Sequence, residues 1–312
     1  MMARAMKIGV IGAGAMGSIF AARLAQGGND VALLDVAGPL VDRINADGVT
    51  VVRGEESNAT RVRATTDPSE IGPVDVAVFF VKCYHTAAAA ELARPLVGPG
   101  TTVASLQNGW GNGDVLAAAY PVDQIVVGVT YNSGLVVEPG VVMHPADQPT
   151  VVGSFAEGDG ARPGRLAETL ESVGLATTVA SPVRPEIWKK LILNAATLPT
   201  SALTGMTAGE LGGDEHMREL VADIARESTA VAMALGYPID AGERVETILA
   251  LLERAGPTKA SMLQDFEAGR RTEIDVINGA VVKAGNEEGV ATPLNKALFR
   301  LVKGCEAKRG LK

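Results

Sequence analysis

Lys190 and Asn194 stand four residues apart in the run Glu186–Ala196, EIWKKLILNAA. A helix there presents both on one face and turns Ile192 to the other. An ammonium beside an amide, facing a cleft, could polarise a carbonyl oxygen or hand it a proton; the same two residues serve equally well on a solvated face. A second polar group lies in Lys259–Val281, KASMLQDFEAGRRTEIDVINGAV, where Ser261, Gln264, Asp265, Glu273, Asp275 and Asn278 alternate with apolar residues at helical spacing. Glu273 is predicted to open a long helix with Ile274, Ile277 and Val281 as its buried stripe, where an acid also suits the N-terminal dipole.

The third group is made of glycines. Lys7–Asp35, KIGVIGAGAMGSIFAARLAQGGNDVALLD, reads as strand, tight turn, helix and strand, with Gly12, Gly14 and Gly17 in the spacing G-x-G-x-x-G. The first permits the turn, the second lets a pyrophosphate approach the backbone, and the third lets helix and strand pack closely. The free N–H groups of Ala15, Met16 and Gly17 at the helix start then face an anion. Asp35 ends the next strand, about 20 residues on, as the dinucleotide pattern requires. Its carboxylate can accept both ribose hydroxyls of NAD, whereas a 2′-phosphate would meet a like charge, so NAD is favoured over NADP unless Arg43 or Arg53 folds in.

These residues need a scaffold, and the pattern supplies two. Apolar runs at Val74–Val81, Thr101–Leu106 and Gln124–Tyr131, with helical stretches at Pro39–Ala46 before the first and at Thr86–Leu96 after it, are predicted to form a buried parallel sheet. Lys82 and Asn108 each follow such a run, at the carboxyl ends where open α/β sheets bind ligands, which puts the Asn108 amide near the nicotinamide end of a dinucleotide; Asn-Gly is equally an ordinary turn. Gly54–Thr60 reads as a hairpin loop after a strand at Val49–Arg53. Val136–Val142 and Thr150–Ser154 read as a hairpin around Glu138-Pro139-Gly140. Leu166–Val173 is predicted helical and Thr177–Ala180 closes the first domain. Ser181–Pro185, with two prolines, marks the boundary. Beyond it a period near 3.6 dominates, with helices predicted at Glu186–Ala196, Gly209–Leu235, Glu243–Arg254, Met262–Glu267, Glu273–Gly289 and Pro293–Lys308. The expected fold is an N-terminal Rossmann dinucleotide-binding α/β domain over 1–182 and a C-terminal all-helical domain over 183–312.

Composition narrows the class. The chain has 312 residues, 47% hydrophobic and 21% charged, and a formal charge of −8, which argues against a nucleic-acid surface. Two cysteines, Cys83 and Cys305, and three scattered histidines make no metal-ligand spacing, so no metal site is expected. The start, MMARAM, lacks a signal-peptide core and no stretch reaches the length of a membrane span, so a cytoplasmic location is expected. Ile248, Leu251, Leu252, Val281, Val282 and Leu298 suit either a core or a homodimer surface.

GxGAMG near the N-terminus, VKCYHT from Val81 to Thr86, LQNG from Leu106 to Gly109, WKKLILN from Trp188 to Asn194, and SMLQD…TEIDVING from Ser261 to Gly279 occur in this order along essentially the whole chain. The sequence thereby resembles the ketopantoate reductase family. The resemblance implies reduction of a 2-keto acid by NAD(P)H, with Lys190 as catalytic lysine, Glu273 as the acid that works with it, and Asn108 as the amide near nicotinamide and substrate. It also implies Asn194 and Ser261 as substrate contacts and Lys82 in the cofactor pocket. Two further asparagines of the family pattern are replaced by Leu198 and Ala208, and Asp35-Val36-Ala37 stands where an arginine for the NADP phosphate is common. Ketopantoate is the first expected substrate. The departures point to the alternative of a D-2-hydroxyacid dehydrogenase acting on a more apolar 2-keto acid, and a non-catalytic dinucleotide-binding sensor is the remaining class.

Overall fold

The computed structural model describes residues 5–156 and 160–311; the first four residues of the MMARAM start lie outside them. The chain divides into two compact units, Met1–Gln107 with Asn112–Val183, and Asn108–Gly111 with Arg184–Lys312. The short piece 108–111, although flanked on both sides by the first unit, belongs to the second.

The first unit runs β1 (Lys7–Ile11), α1 (Ala15–Gln26), β2 (Asp30–Leu34), α2 (Gly38–Asp47), β3 (Val49–Arg53), β4 (Glu56–Thr60), β5 (Arg63–Thr65), β6 (Val76–Phe79), α3 (Thr86–Leu92), β7 (Thr102–Ser105), α4 (Asn112–Ala117), β8 (Ile125–Thr130), β9 (Leu135–Glu138), β10 (Val141–Met143), β11 (Thr150–Ser154), α5 (Ala161–Ser172) and β12 (Thr177–Val179). Among the described residues the main sheet has the order β12-β11-β8-β7-β6-β1-β2-β5. From β5 to β8 all pairs are parallel, and β11 joins β8 antiparallel. Strands β6, β7 and β8 are buried at every residue, as covering on both faces demands. The strand order reverses at β1, which brings the turns after β1 and β6 together at the carboxyl edge.

Two predicted features differ. Glu56–Thr60 is a strand rather than a loop: it pairs antiparallel with β3 at the edge of a second sheet, β4-β3-β10-β9, where exposure allows polar residues. The hairpin around Pro139-Gly140 joins β9 to β10, while Thr150–Ser154 pairs with β8 in the main sheet. In addition, the helix after Thr86 stops at Leu92, and Pro95 sits in a 3-10 turn.

His144, 1% exposed, follows β10; its Nε2 lies 3.0 Å from Asn132 Oδ1 and its Nδ1 3.3 Å from Arg53 Nη2. The arginine fixes Nδ1 as the acceptor, so the ring is neutral with its proton on Nε2. Burial, then the Arg53 charge, lowers the His144 pKa from its ordinary value. A lowered folded pKa means that the unfolded chain takes the proton first. Stability from this residue is therefore present above about pH 6.5 and lost as pH falls through the folded value. The melting temperature should drop below pH 6.5 less steeply in His144→Gln than in the wild type, as thermal unfolding at pH 5 to 8 would measure.

The second unit comprises α6 (Arg184–Thr204), α7 (Ala208–Gly213), α8 (Glu215–Ala234), α9 (Ala241–Arg254), α10 (Ser261–Glu267), α11 (Asn278–Glu288) and α12 (Pro293–Lys308). Helix α6 continues past the predicted end at Ala196, through Pro199. Proline has no N–H to give the carbonyl four residues back. That carbonyl, Ala195 O, accepts instead from Asn278 Nδ2 at 3.0 Å, and Asn278 is fully buried. The predicted Gly209–Leu235 helix is split by Asp214, whose side chain caps α8 at Met217 N. Glu273 does not open a helix: it precedes a 3-10 turn, Ile274–Val276, and α11 starts only at Asn278. Ile248, Leu252, Val281 and Leu298 lie in the core of this unit, whereas Leu251 is 47% exposed.

Candidate active site

The turn after β1 is shaped for a close visitor. Gly12 has φ +101°, open to glycine, and a Cβ there would come within 2.9 Å of Val81 N, in the turn after β6. At Gly17 a Cβ would overlap the Gly12 carbonyl oxygen, so α1 packs against the turn only because that residue is glycine. Gly14 differs: a Cβ would meet nothing within 4 Å. Gly14 is also the N-cap of α1, whose first turn, Ala15, Met16 and Gly17 onward, carries no acid and no side-chain cap among the described residues. The backbone N–H groups there remain available to an anion, and the open space over Gly14 fits a pyrophosphate. Lys82 stands at the N-cap position of the 3-10 turn Cys83–His85 that follows β6, without a side-chain capping bond.

Asp35, just past β2, accepts from Ala13 N at 2.7 Å through Oδ2 and from Ala37 N at 3.0 Å through Oδ1. It ties the glycine turn to the end of β2, and a carboxylate has lone pairs left for hydroxyl donors. The arginines that could carry a phosphate are engaged with acids: Arg43 with Asp47 at 3.0 Å and Arg53 with Asp147 at 2.8 Å.

In the second unit three predicted residues act on one another. Lys190 Nζ donates to Asn108 Oδ1 at 2.8 Å. Burial pushes the lysine down to about 8, and the Glu273 carboxylate, itself 7% exposed, pulls the other way. An ammonium with a pKa near neutrality is suited to release a proton during a reaction. Asn194, one helical turn beyond Lys190, is 7% exposed. Among the described residues neither its side chain nor that of Ser261, at the first position of α10, has a hydrogen-bond partner.

Sequence reasoning passed over Trp110. Its backbone N–H donates to Val276 O at 2.9 Å, and its ring meets those of Trp188 and Tyr237 at centroid distances of 5.7 and 6.4 Å. A Cβ at Gly109 would strike Val276. These contacts seat the segment 108–111 that carries Asn108. The available signal was the large aromatic directly after Asn108-Gly109. Leu198 belongs to the helical core, and Ala208 packs against it.

Residues 8–157 match the family described as Ketopantoate reductase PanE/ApbA, and residues 182–306 its C-terminal part. A 2-dehydropantoate 2-reductase of Halobacterium salinarum is 32% identical over 300 residues, covering 96% of this chain and 98% of that protein. The crystal structure of 2-dehydropantoate 2-reductase from Geobacter metallireducens is similar with a TM-score of 0.91 at 30% identity, over 95% of this chain and 99% of that one. The ternary structure of D-mandelate dehydrogenase with NADH and anilino(oxo)acetate is similar with a TM-score of 0.94 at 28% identity, over 98% and 100%.

Proposed function

The chain belongs to the ketopantoate reductase family, and on that premise we propose that it reduces a 2-keto acid to the 2-hydroxy acid with a nicotinamide dinucleotide, ketopantoate to pantoate being the first candidate. The observation that carries this reading is the Lys190 ammonium on Asn108 Oδ1, with a pKa near 8 and Glu273 acting on it. When bound, the reduced dinucleotide supplies the hydride. Lys190 holds a proton at Nζ and gives it to the keto oxygen as negative charge develops there. Asn108 orients that ammonium, Glu273 keeps it charged, and Asn194 and Ser261 offer donors to the substrate carboxylate. Gly12, Gly14 and the start of α1 receive the pyrophosphate, with Lys82 beside them after β6.

NAD is the proposed donor. The support is Asp35, whose charge sits on the turn that a 2′-phosphate would approach, together with the engagement of Arg43 and Arg53 by acids. In Asp35→Ala, NADH should bind about tenfold more weakly and NADPH about tenfold more tightly, by loss of one charged hydrogen bond and one repulsion. Titration of cofactor fluorescence measures both, and an unchanged preference would remove Asp35 from the selection.

A second reading, a D-2-hydroxyacid dehydrogenase for an apolar 2-keto acid, is favoured by Leu198 and Ala208, which put hydrocarbon where the family pattern has amides, and by likeness to the D-mandelate enzyme. A site stripped of hydroxyl-reading amides loses discrimination for a hydroxylated substrate. Initial rates of NADH and NADPH oxidation with ketopantoate and a panel of branched and aromatic 2-keto acids separate the two. Oxidation of neither cofactor with any 2-keto acid would overturn both.

A further inference from the structure

Thr272 and Glu306 have no part in the chemistry above, yet they are 0% and 1% exposed. Glu306 occupies the buried stripe of α12, after Asn295, Leu298 and Val302, where a helix ordinarily carries an apolar side chain. Its Oε1 accepts from Thr272 N at 2.8 Å and from Thr272 Oγ1 at 2.7 Å, and its Oε2 lies 2.8 Å from Lys303 Nζ. Lys303 also reaches Asp275 at 3.2 Å, and Arg271 meets the same Asp275 oxygen at 3.2 Å. A buried carboxylate is a poor choice for mere adhesion, because an apolar side chain of the same volume stabilises as well or better. What it offers is a fixed backbone position.

The position it fixes is the start of the segment Thr272–Val276. The next residue is Glu273, whose charge acts on Lys190. The segment's far end, Val276 O, accepts from Trp110 N, two residues after Asn108, whose Oδ1 accepts from Lys190 Nζ. Both groups that address Lys190 therefore hang on one short turn, and Glu306 grips that turn where it begins.

We propose that Glu306 is a positioning residue for Lys190: by holding Thr272 it sets the Thr272–Val276 turn so that Glu273, and through Trp110 also Asn108, face the lysine. The proposal rests on the reductase reading for its catalytic meaning, and its primary test does not need turnover. In protein with 13C-labelled lysine, the Lys190 signal, assigned by its loss in Lys190→Met, is titrated by NMR in the wild type and in three variants. In Glu306→Ala, Lys190 should titrate about one pH unit lower as Glu273 loses its hold on it. Glu306→Gln keeps an acceptor for Thr272 and should titrate close to the wild type. Thr272→Val keeps the side-chain shape, loses the hydroxyl bond, and should fall between; it carries the test if the alanine variant does not fold. In parallel, kcat for 2-keto acid reduction should fall about tenfold in Glu306→Ala with KM little changed, and the glutamine should restore it. A folded Glu306→Ala, or Thr272→Val in its place, with Lys190 titrating as in the wild type would overturn the proposal. A wild-type protein without turnover would defeat the reductase reading and leave the titration to decide the clamp.

Discussion

Lys190→Ala should lower kcat for 2-keto acid reduction about 10³-fold while the Kd for NADH stays within about twofold. In the proposed mechanism the proton and charge of the lysine meet the oxygen as it becomes an alkoxide, so its loss should fall on the transition state rather than on cofactor binding. A non-catalytic sensor would likewise keep its cofactor response but has no turnover to lose. Stopped-flow turnover and fluorescence titration on the same preparation distinguish the two.

The pH dependence follows from the same residue. In the proposed mechanism Lys190 is the acid in the reducing direction, so activity should require its protonated form. Burial brings its pKa from 10.5 down to about 8. The profile of kcat/KM, which reports the free enzyme, should accordingly be level below that value and fall about tenfold per pH unit above it. Glu273→Gln removes the charge that opposes the lowering, and the descending limb should move to lower pH. A limb that stays in place, or moves up, would mean that Glu273 does not act on Lys190.

How much of this was legible in the sequence depends on how far each determinant lies along the chain. The glycine turn could be read because its requirements are local: Gly12, Gly14 and Gly17 sit within six residues, and Asp35 closes onto Ala13 from the next strand. Lys190 and Asn194 could be placed on one face because helical spacing alone does so. The continuation of α6 through Pro199 could not, since the donor that replaces the missing N–H is on Asn278, 83 residues from the carbonyl it serves. The same distance effect hid the environment of Glu273. Its apolar neighbours have helical spacing, but Val276 O is taken by Trp110 N, and the chain turns before α11 begins. Glu306 left a readable trace, an acid on the apolar stripe of α12, without any indication that Thr272 was its partner. The polar strand β4 escaped because it is exposed on both faces along nearly its whole length, so no alternation of apolar residues marks it.

The largest expected effect in the first unit separates two glycines of one motif. Gly17→Ala must displace either α1 or the backbone of the β1 turn, because its Cβ would occupy the place of the Gly12 carbonyl oxygen and neither atom belongs to a flexible side chain. Overpacking of this kind costs about 3 kcal/mol, which lowers the melting temperature by roughly 10 °C in a unit of this size. Gly14→Ala adds its methyl to open space. It should leave the melting temperature within about 1 °C and weaken NADH about tenfold or more, because the methyl stands where the pyrophosphate must approach the helix N–H groups. The pairing is what makes the result informative. A loss of stability alone could follow from any crowded glycine, but a variant that melts like the wild type and has lost its cofactor identifies the space over Gly14 as space kept for the dinucleotide. If Gly14→Ala binds NADH normally, the cofactor lies elsewhere, and the roles proposed for Asp35 and Lys82 lose their basis with it.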